Sequence, residues 1–236
     1  AHLVLDGLWL GSSGPFAVIL RGDYETVTIA NCTFDPGGGA DVTGAAIHPV
    51  PLIVEATVET LVIDRSIMAQ IRTQSGGVVE QVLVRDSIVD ALADGNVALG
   101  MPATEAELAR VTVLGAMDVN RLWASEALVT GRVDVTDTQE GCFRFSAAPP
   151  GSRLPHPYQA HLLTETAHLF TSRRFGDAGY GQLSETAPAA VARGAENGSE
   201  MGAFASLLNP VKLDSLQAKV LEHLPFGLIP IYVLET

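Results

Sequence analysis

The chain repeats a short strand pattern along its first 140 residues. Each copy has an alternating apolar strand, then a polar residue, a small residue and another apolar residue. The copies lie at residues 3–10, 27–34, 61–68 and 82–89, and a weaker fifth copy lies at 109–114. A Gly/Pro-rich insert at residues 36–51 lengthens the second interval. Repetition of short strands every twenty-odd residues is typical of a solenoid.

A second short apolar strand precedes most copies, at residues 16–20, 52–54, 78–79 and 97–99. No helix-length segment separates the strands, which argues against a βαβ fold. The pattern predicts a mainly all-β chain built as a right-handed parallel β-helix solenoid. An antiparallel sandwich also has many short strands and is the alternative, but it gives no reason for repetition at one corner.

Inward side chains of a β-helix stack on equivalent side chains one turn away. We therefore expect an aliphatic ladder, a ladder of small residues at a bend, and a polar corner where Asn or Asp tolerates left-handed backbone angles. The three sets are Ile29, Ile63 and Val84; Cys32, Ser66 and Ser87; and Asn31, Arg65 and Asp86.

The strand pattern ends near residue 146, after a last strand at 141–146, and prolines then interrupt residues 149–157. We predict the parallel β-helix over residues 1–146 and an irregular α+β capping segment over 147–236. This segment would pack on the solenoid and cover the open edge of its last turn, since an open edge offers unpaired N–H and C=O groups to other chains.

One amphipathic helix is predicted within the cap. Asn209 would be its N-cap, Pro210 its first helical residue, and Pro225 would stop it. An apolar strand is expected at residues 228–234, where Pro230 favours a sheet edge. The apolar helix face holds Leu213, Leu216, Val220 and Leu224.

Composition excludes several classes of protein. A hydrophobic fraction of 47% with 17% charged residues differs from that of disordered chains. The formal charge of −13 disfavours nucleic acid, because the densest basic patch is only Arg173 and Arg174. No apolar run reaches the roughly 18 residues of a membrane helix, and no signal peptide is recognisable, so we expect a soluble domain without membrane insertion. Because the chain lacks an initiator Met, we interpret it as a segment of a longer protein.

Several runs resemble the C-terminal region of large, poorly characterised bacterial proteins that look like components encoded beside phage-tail-like contractile injection machinery. The resemblance spans nearly the whole chain and is densest after residue 140. It implies a β-helical region and an accessory or tail-associated role. This chain departs from the relatives at residues 156–161, where they have a basic run and a cysteine, and at 222–224. The runs are DSIVDA (86–91), GCFRFS (141–146), PPGSR (149–153), FTS (170–172), FGD (175–177), GY (179–180), RGAE (193–196), GSEMGAF (198–204) and PFGL (225–228).

Candidate chemistry is weak at every position considered. Stacking would bring Arg65 near Asp86, and such charged residues on adjoining turns suggest cross-turn ion pairs more than a lyase or hydrolase site. The histidines match no zinc spacing, and the acidic residues among glycines lack the order of an EF-hand. The two cysteines are interpreted as small core residues, with a disulfide possible but not needed. The three charge sets are Asp64, Arg65, Arg85, Asp86 and Asp90; His156, His161 and His168; and Asp177, Glu196 and Glu200.

The remaining motifs are read structurally. The glycines at 37–39 lack the Lys and Ser/Thr of a phosphate-binding loop, so they indicate a flexible insert. Trp9 and Trp123 could stack on sugar rings, although single aromatic residues in strands are more often core or scattered surface. We therefore assign no catalytic, cofactor-binding or metal-binding residue and no cofactor.

These features predict a non-enzymatic structural or interaction module of a phage-tail-like or other extracellular multiprotein assembly. Expected partners are further copies, as a trimer or filament, or sister tail proteins, and glycans stay open as partners. The alternatives are a polysaccharide lyase or glycoside hydrolase of the β-helix type and a carbohydrate-binding adhesin. An extracellular location or a place in an injection particle is expected.

Overall fold

The computed structural model describes residues 1–230. The chain is mostly β, with 44% of its residues in strands and 10% in helices. The strands are β1 His2–Asp6, β2 Trp9–Leu10, β3 Val18–Leu20, β4 Asp23–Ala30, β5 Thr33–Phe34, β6 Leu52–Val54, β7 Thr57–Asp64, β8 Ile67–Met68, β9 Ile71–Thr73, β10 Val78–Asp90, β11 Val97–Leu114, β12 Ala116–Ser125, β13 Leu128–Val129, β14 Val133–Val135, β15 Gly141–Arg144, β16 Ala147–Ala148, β17 Pro157–Tyr158 and β18 His161–Leu162. The helices are α1 Ala189–Ala192, a 3-10 turn Ala205–Leu207 and α2 Asn209–His223.

These strands pair in parallel and form one curled sheet. Each long strand pairs with the equivalent strand of the next repeat, as β4 does with β7 and β7 with β10. We call each such level a rung, and we call a set of residues paired in register across rungs a column. The parallel register excludes the antiparallel sandwich.

The predicted ladders are confirmed. Ile29 pairs with Ile63, and Ile63 with Val84, and all three are fully buried. At the bend, the Cys32 N–H donates to Ser66 Oγ and the Ser66 N–H donates to Ser87 Oγ, both at 3.0 Å. Each serine hydroxyl donates in turn to the carbonyl two residues before it. The small-residue ladder therefore satisfies buried backbone N–H groups at the bend.

The prediction for the second strand of each repeat is correct at three positions and wrong at one. β3, β6 and the start of β11 lie in the column that contains β9. Residues 78–79 instead begin the long strand β10 and pair with residues 57–58 of β7. Val79 is fully buried in the same core. It enters that core from the column of β7 and β10, and not from the column of β3, β6 and β9.

Parallel pairing does not stop at residue 146. β17 pairs with β15, and β18 with β16, so the sheet extends to Leu162. Residues 163–204, which we call the strap, then run back across the outward side of several rungs. The strap buries outward side chains of the sheet together with its own apolar residues. The sheet residues are Ile88, Leu114, Leu128 and Ala147, and those of the strap include Leu163, Leu169, Phe170, Tyr180, Val191, Met201 and Ala203. The predicted cap therefore contacts the side of the curled sheet. The sequence predicted that it would cover the end.

The predicted helix is present, but its start is shifted. Leu208 is the N-cap, in a left-handed conformation with φ of 55°, and Asn209 is the first helical residue. Asn209 donates instead from Nδ2 to Glu200 Oε1 at 2.8 Å. The helix ends at His223, before Pro225. None of its residues is buried, so the predicted apolar face packs only partly on this chain.

The predicted terminal strand lies largely outside the described residues, which end at 230. Its first part, residues 228–230, is not a strand. In the described part of the chain, no helix is long and apolar enough to cross a membrane.

Candidate binding site

A column of left-handed residues runs along one corner of the curled sheet. Asn31, Arg65 and Asp86 have φ of 52°, 45° and 46°, as predicted from their corner position. The column continues through Arg110, Glu126, Phe145 and Gln159 on later rungs, with φ between 47° and 58°. Non-glycine residues rarely adopt this conformation, and Arg, Glu and Phe lack the local hydrogen bonds that favour it in Asn and Asp. The stacked backbone of the parallel rungs therefore determines this corner.

Strands before this corner present a sheet face that we call the open face. It consists of the outward side chains of β1, β4, β7, β15 and β17, and of residues 78–85 of β10, 105–109 of β11 and 121–125 of β12. A column of mainly apolar residues crosses it: Val4, Thr28, Val62 and Leu83 pair in register. Val4 is 65% exposed. The column continues through Glu107 to Trp123 and Cys142.

Trp123 lies near the centre of the later rungs of the open face and is 45% exposed. Ser125 follows two residues later on the same strand and therefore points to the same side, about 7 Å along the strand. Arg144 pairs in register with Ser125, and Tyr158 pairs with Arg144. Tyr158 is 53% exposed, and its ring meets Phe145 edge-on, with centroids 5.6 Å apart. Two accessible aromatic rings thus flank the polar pair.

A cleft of about 460 Å³ opens beside these residues, where the corner meets the strap. We call it the corner cleft. Its lining is polar and carries charges of both signs. The strap closes one side, because the backbone N–H of Glu196 donates to Glu126 Oε1 at 3.2 Å and the Gly202 N–H donates to the Glu126 carbonyl at 2.8 Å. The lining residues are Arg110, Ser125, Glu126, Arg144, Glu196 and Asn197.

Ion pairs balance the charges around the cleft. Arg110 donates from Nε and Nη2 to both oxygens of Asp86, at 2.7 and 2.9 Å. This hydrogen bonding holds the pKa of Asp86 below its usual value, although partial burial opposes the shift. Arg144 lies 3.8 Å from the carboxylate of Glu196. The cleft therefore offers hydrogen-bond donors and acceptors without a strong excess of either charge.

The carboxylates considered from the sequence do not converge. Asp64 pairs with the adjacent Arg65 at 2.9 Å, Arg85 pairs with Glu107 at 3.5 Å, and Asp86 pairs with Arg110. The partner of Asp86 is thus Arg110 on the following rung, whereas the sequence predicted Arg65 on the preceding one. Asp90 lies past the corner and is buried.

Asp90 belongs to a second polar cluster, which fastens the strap to the sheet. Tyr180 donates its hydroxyl proton to Asp90 Oδ2 at 2.8 Å, and Arg173 donates to Asp94 Oδ1 at 2.6 Å. Burial raises the pKa of Asp90 above its usual value. Burial by itself would raise the pKa of Asp94 too, but hydrogen bonds from Arg173 and Thr130 hold it below its usual value. The cluster joins residues about 80 to 90 positions apart, a separation that sequence spacing alone does not reveal.

The other candidates are scattered. His156 and His168 are exposed, and His161 pairs with Ala147 in the last rung. Asp177 accepts from Ser172, and Glu200 accepts from Asn209. Among residues 1–230, no group of three His, Cys, Asp or Glu side chains could hold a metal ion.

The glycines and cysteines lie in different environments. Gly37 and Gly38 have positive φ, and an added Cβ at Gly37 would lie 2.8 Å from the Pro49 nitrogen, so the insert is closely packed there. The two cysteines are free. Cys32 is buried as predicted. Cys142 was also predicted in the core, but it points outward beside Trp123.

Comparisons with models of known protein families, with curated proteins and with solved structures find no match to this chain.

Proposed function

We propose that this chain is a non-enzymatic interaction module: a right-handed parallel β-helix that acts as a scaffold in a phage-tail-like or other extracellular multiprotein assembly. The parallel rungs and the in-register ladders support the β-helix. The resemblance described above supports the tail-associated role.

One observation carries the proposal: on the later rungs, the strap covers one of the two outward faces beside the corner and leaves the other accessible. After the corner, the strap buries the outward face of the later rungs, including Ile88, Leu114 and Leu128, whereas Trp9 on the first rung of that face stays 71% exposed. On the later rungs of the open face Trp123 stays 45% exposed, and Val4 on its first rung is 65% exposed. Accessible apolar surface on a regular sheet is typical of an interaction surface.

Pairing of the carboxylates favours a binding role over the lyase or hydrolase alternative. Acid/base catalysis requires carboxylates that can reach a substrate and exchange protons. On the open face and its corner, Asp64, Asp86 and Glu107 are each bound to an arginine. These pairs link neighbouring residues and rungs, which is a structural use of charge.

Self-association tests the proposal. We expect the purified chain to form a trimer or filament, measured by light scattering and sedimentation over a range of concentrations. Val62→Glu places a charge on the open face and should reduce the mass toward that of the monomer. Ile19→Glu is the matched control, because Ile19 is 42% exposed on β3, on another side of the coil.

The proposal would be contradicted by a chain that is monomeric at every concentration and that also fails to bind the products of the genes encoded beside its own. Equal dissociation by both substitutions would contradict the role of the open face. Circular dichroism of each variant checks that the fold is retained.

A further inference from the structure

We propose that the open face carries a binding site for a neutral glycan, centred on Trp123 and the adjoining corner cleft. This inference rests on the proposed function, because it assigns a ligand to the same face. The alternatives for this face, an acidic glycan and a protein surface alone, are outcomes of the test below.

The first argument is the pair of accessible aromatic rings. Trp123 and Tyr158 lie on the same face, two rungs apart, which corresponds to about 10 Å along the coil. The edge-on contact with Phe145 fixes the Tyr158 ring. The apolar face of a pyranose ring stacks on such aromatic surfaces while its hydroxyls point away to polar partners, and a rigid aromatic side chain loses little conformational entropy on binding. A short oligosaccharide could contact both rings.

The second argument is the chemistry beside Trp123. A sugar hydroxyl both donates and accepts, so it is best matched by carboxylates and guanidinium groups that lie close together. Arg144 and Ser125 lie on neighbouring rungs next to Trp123, and the carboxylates of Glu126 and Glu196 lie across the corner cleft. An apolar platform beside a few convergent polar groups is the usual construction of a small-molecule site.

Charge selects a neutral ligand. Both oxygens of Asp86 already engage Arg110, and Arg144 faces Glu196, so neither arginine is left as an unbalanced positive charge. The chain has a formal charge of −13, which disfavours the approach of a polyanion. Neutral hexoses therefore fit this surface better than uronic or sialic acids do.

The chain has only two tryptophans, so each can be isolated as a fluorescent reporter. In the Trp9→Phe variant the only remaining indole is that of Trp123. In the Trp123→Phe variant it is that of Trp9. Lactose, cellotetraose and polygalacturonate are titrated into both variants. We expect a neutral sugar to shift the Trp123 emission to the blue and to protect it from acrylamide, in a saturable manner, with no change at Trp9.

Binding is then measured by calorimetry on variants of the full chain. Trp123→Ala should weaken affinity at least about 10-fold, and Glu196→Gln should weaken it less, because it keeps one acceptor oxygen. Trp9→Ala is the matched control, since Trp9 is 71% exposed on β2 and lies on the other side of the corner. Its affinity should equal that of the parent chain.

Three outcomes would overturn the glycan site: no saturable response up to about 10 mM neutral sugar, which is above the range of weak but specific sites; tighter binding of polygalacturonate; or equal loss in Trp9→Ala. Self-association that persists in a chain unable to bind sugar removes the glycan site and leaves the proposed function. Sugar binding by a strictly monomeric chain would support the glycan site and count against self-association as the proposed function.

Discussion

Asp86 and Arg110 are joined by two hydrogen bonds, of 2.7 and 2.9 Å, although each residue holds a left-handed backbone conformation on its own rung. The corner column therefore brings opposite charges together between rungs. Because neither side chain is fully exposed, we expect this pair to contribute more to stability than an ordinary surface ion pair does.

A double-mutant cycle measures this contribution. Asp86→Asn keeps a residue that tolerates the left-handed conformation, and Arg110→Gln removes the opposite charge. We expect a coupling energy of about 1 kcal/mol in urea unfolding, reduced by salt, because both groups retain contact with water. The pair lowers the pKa of Asp86 from 3.8, so its contribution is present above that pH and is lost as the pH falls through the lower folded value. A coupling energy of zero at neutral pH would contradict the pairing.

The small-residue ladder gives a second prediction. Ser66→Ala removes the acceptor for the buried Cys32 N–H, so we expect a loss of about 1 to 3 kcal/mol. Cys32→Ser is the matched substitution, because Ser66 and Ser87 already occupy equivalent positions and Cys32 Sγ contacts the Ala30 carbonyl at 3.1 Å. This variant should stay within about 1 kcal/mol of the parent. Equal losses in urea unfolding would show that the ladder hydrogen bonds contribute little.

Attachment of the strap should depend on pH through Asp90. Its folded pKa is raised by burial, so the folded chain binds this proton more tightly than the unfolded chain does. Stability associated with Asp90 is therefore highest at acid pH and declines as the pH rises through the raised value. Asp90→Asn removes the buried charge and keeps a partner for the Tyr180 hydroxyl. We expect this variant to be more stable than the parent at about pH 7 and to lose that advantage near pH 4. Unfolding curves with the same pH dependence would contradict this mechanism.

The ladders could be predicted from the sequence because they combine a period with residue type. Ile29, Ile63 and Val84 occupy the same position in three successive copies. Parallel stacking of these copies then places the three side chains in one ladder. The strap could not be placed in this way. Ile88 and Val89 are adjacent and both buried, Ile88 under the strap and Val89 in the main core inside the curled sheet. Two consecutive apolar residues show that both sides of the strand are buried. They do not show which part of the chain covers the outward side.

The corner cleft was missed for a different reason. Arg110, Glu126 and Phe145 hold positive φ, a conformation that residue type associates with Gly, Asn or Asp. The signal was present as a small or apolar residue after each of them, Val111, Ala127 and Ser146, in register with the small-residue ladder. Unequal rung lengths hid this register, since Arg110 and Glu126 are closer in sequence than Asp86 and Arg110 are.

Gly131 provides the last prediction, because it lies where the rungs and the strap attachment meet. Its φ is ordinary, so only space limits it: an added Cβ would lie 2.3 Å from the Asp94 carbonyl oxygen and 2.4 Å from the Ala116 nitrogen. Both contacts are with backbone, so Gly131→Ala must displace the loop that carries Asp94. We expect a loss of about 3 kcal/mol or more.

Gly95→Ala is the matched control, because it adjoins Asp94 but an added Cβ there meets nothing within 4 Å. It should change the free energy of unfolding by no more than about 0.5 kcal/mol. Hydrogen exchange should show that Gly131→Ala also increases opening of the strap, since Asp94 binds Arg173 and Thr166. If the strap keeps its protection while global stability falls, Asp94 is not the residue that couples the strap to the sheet.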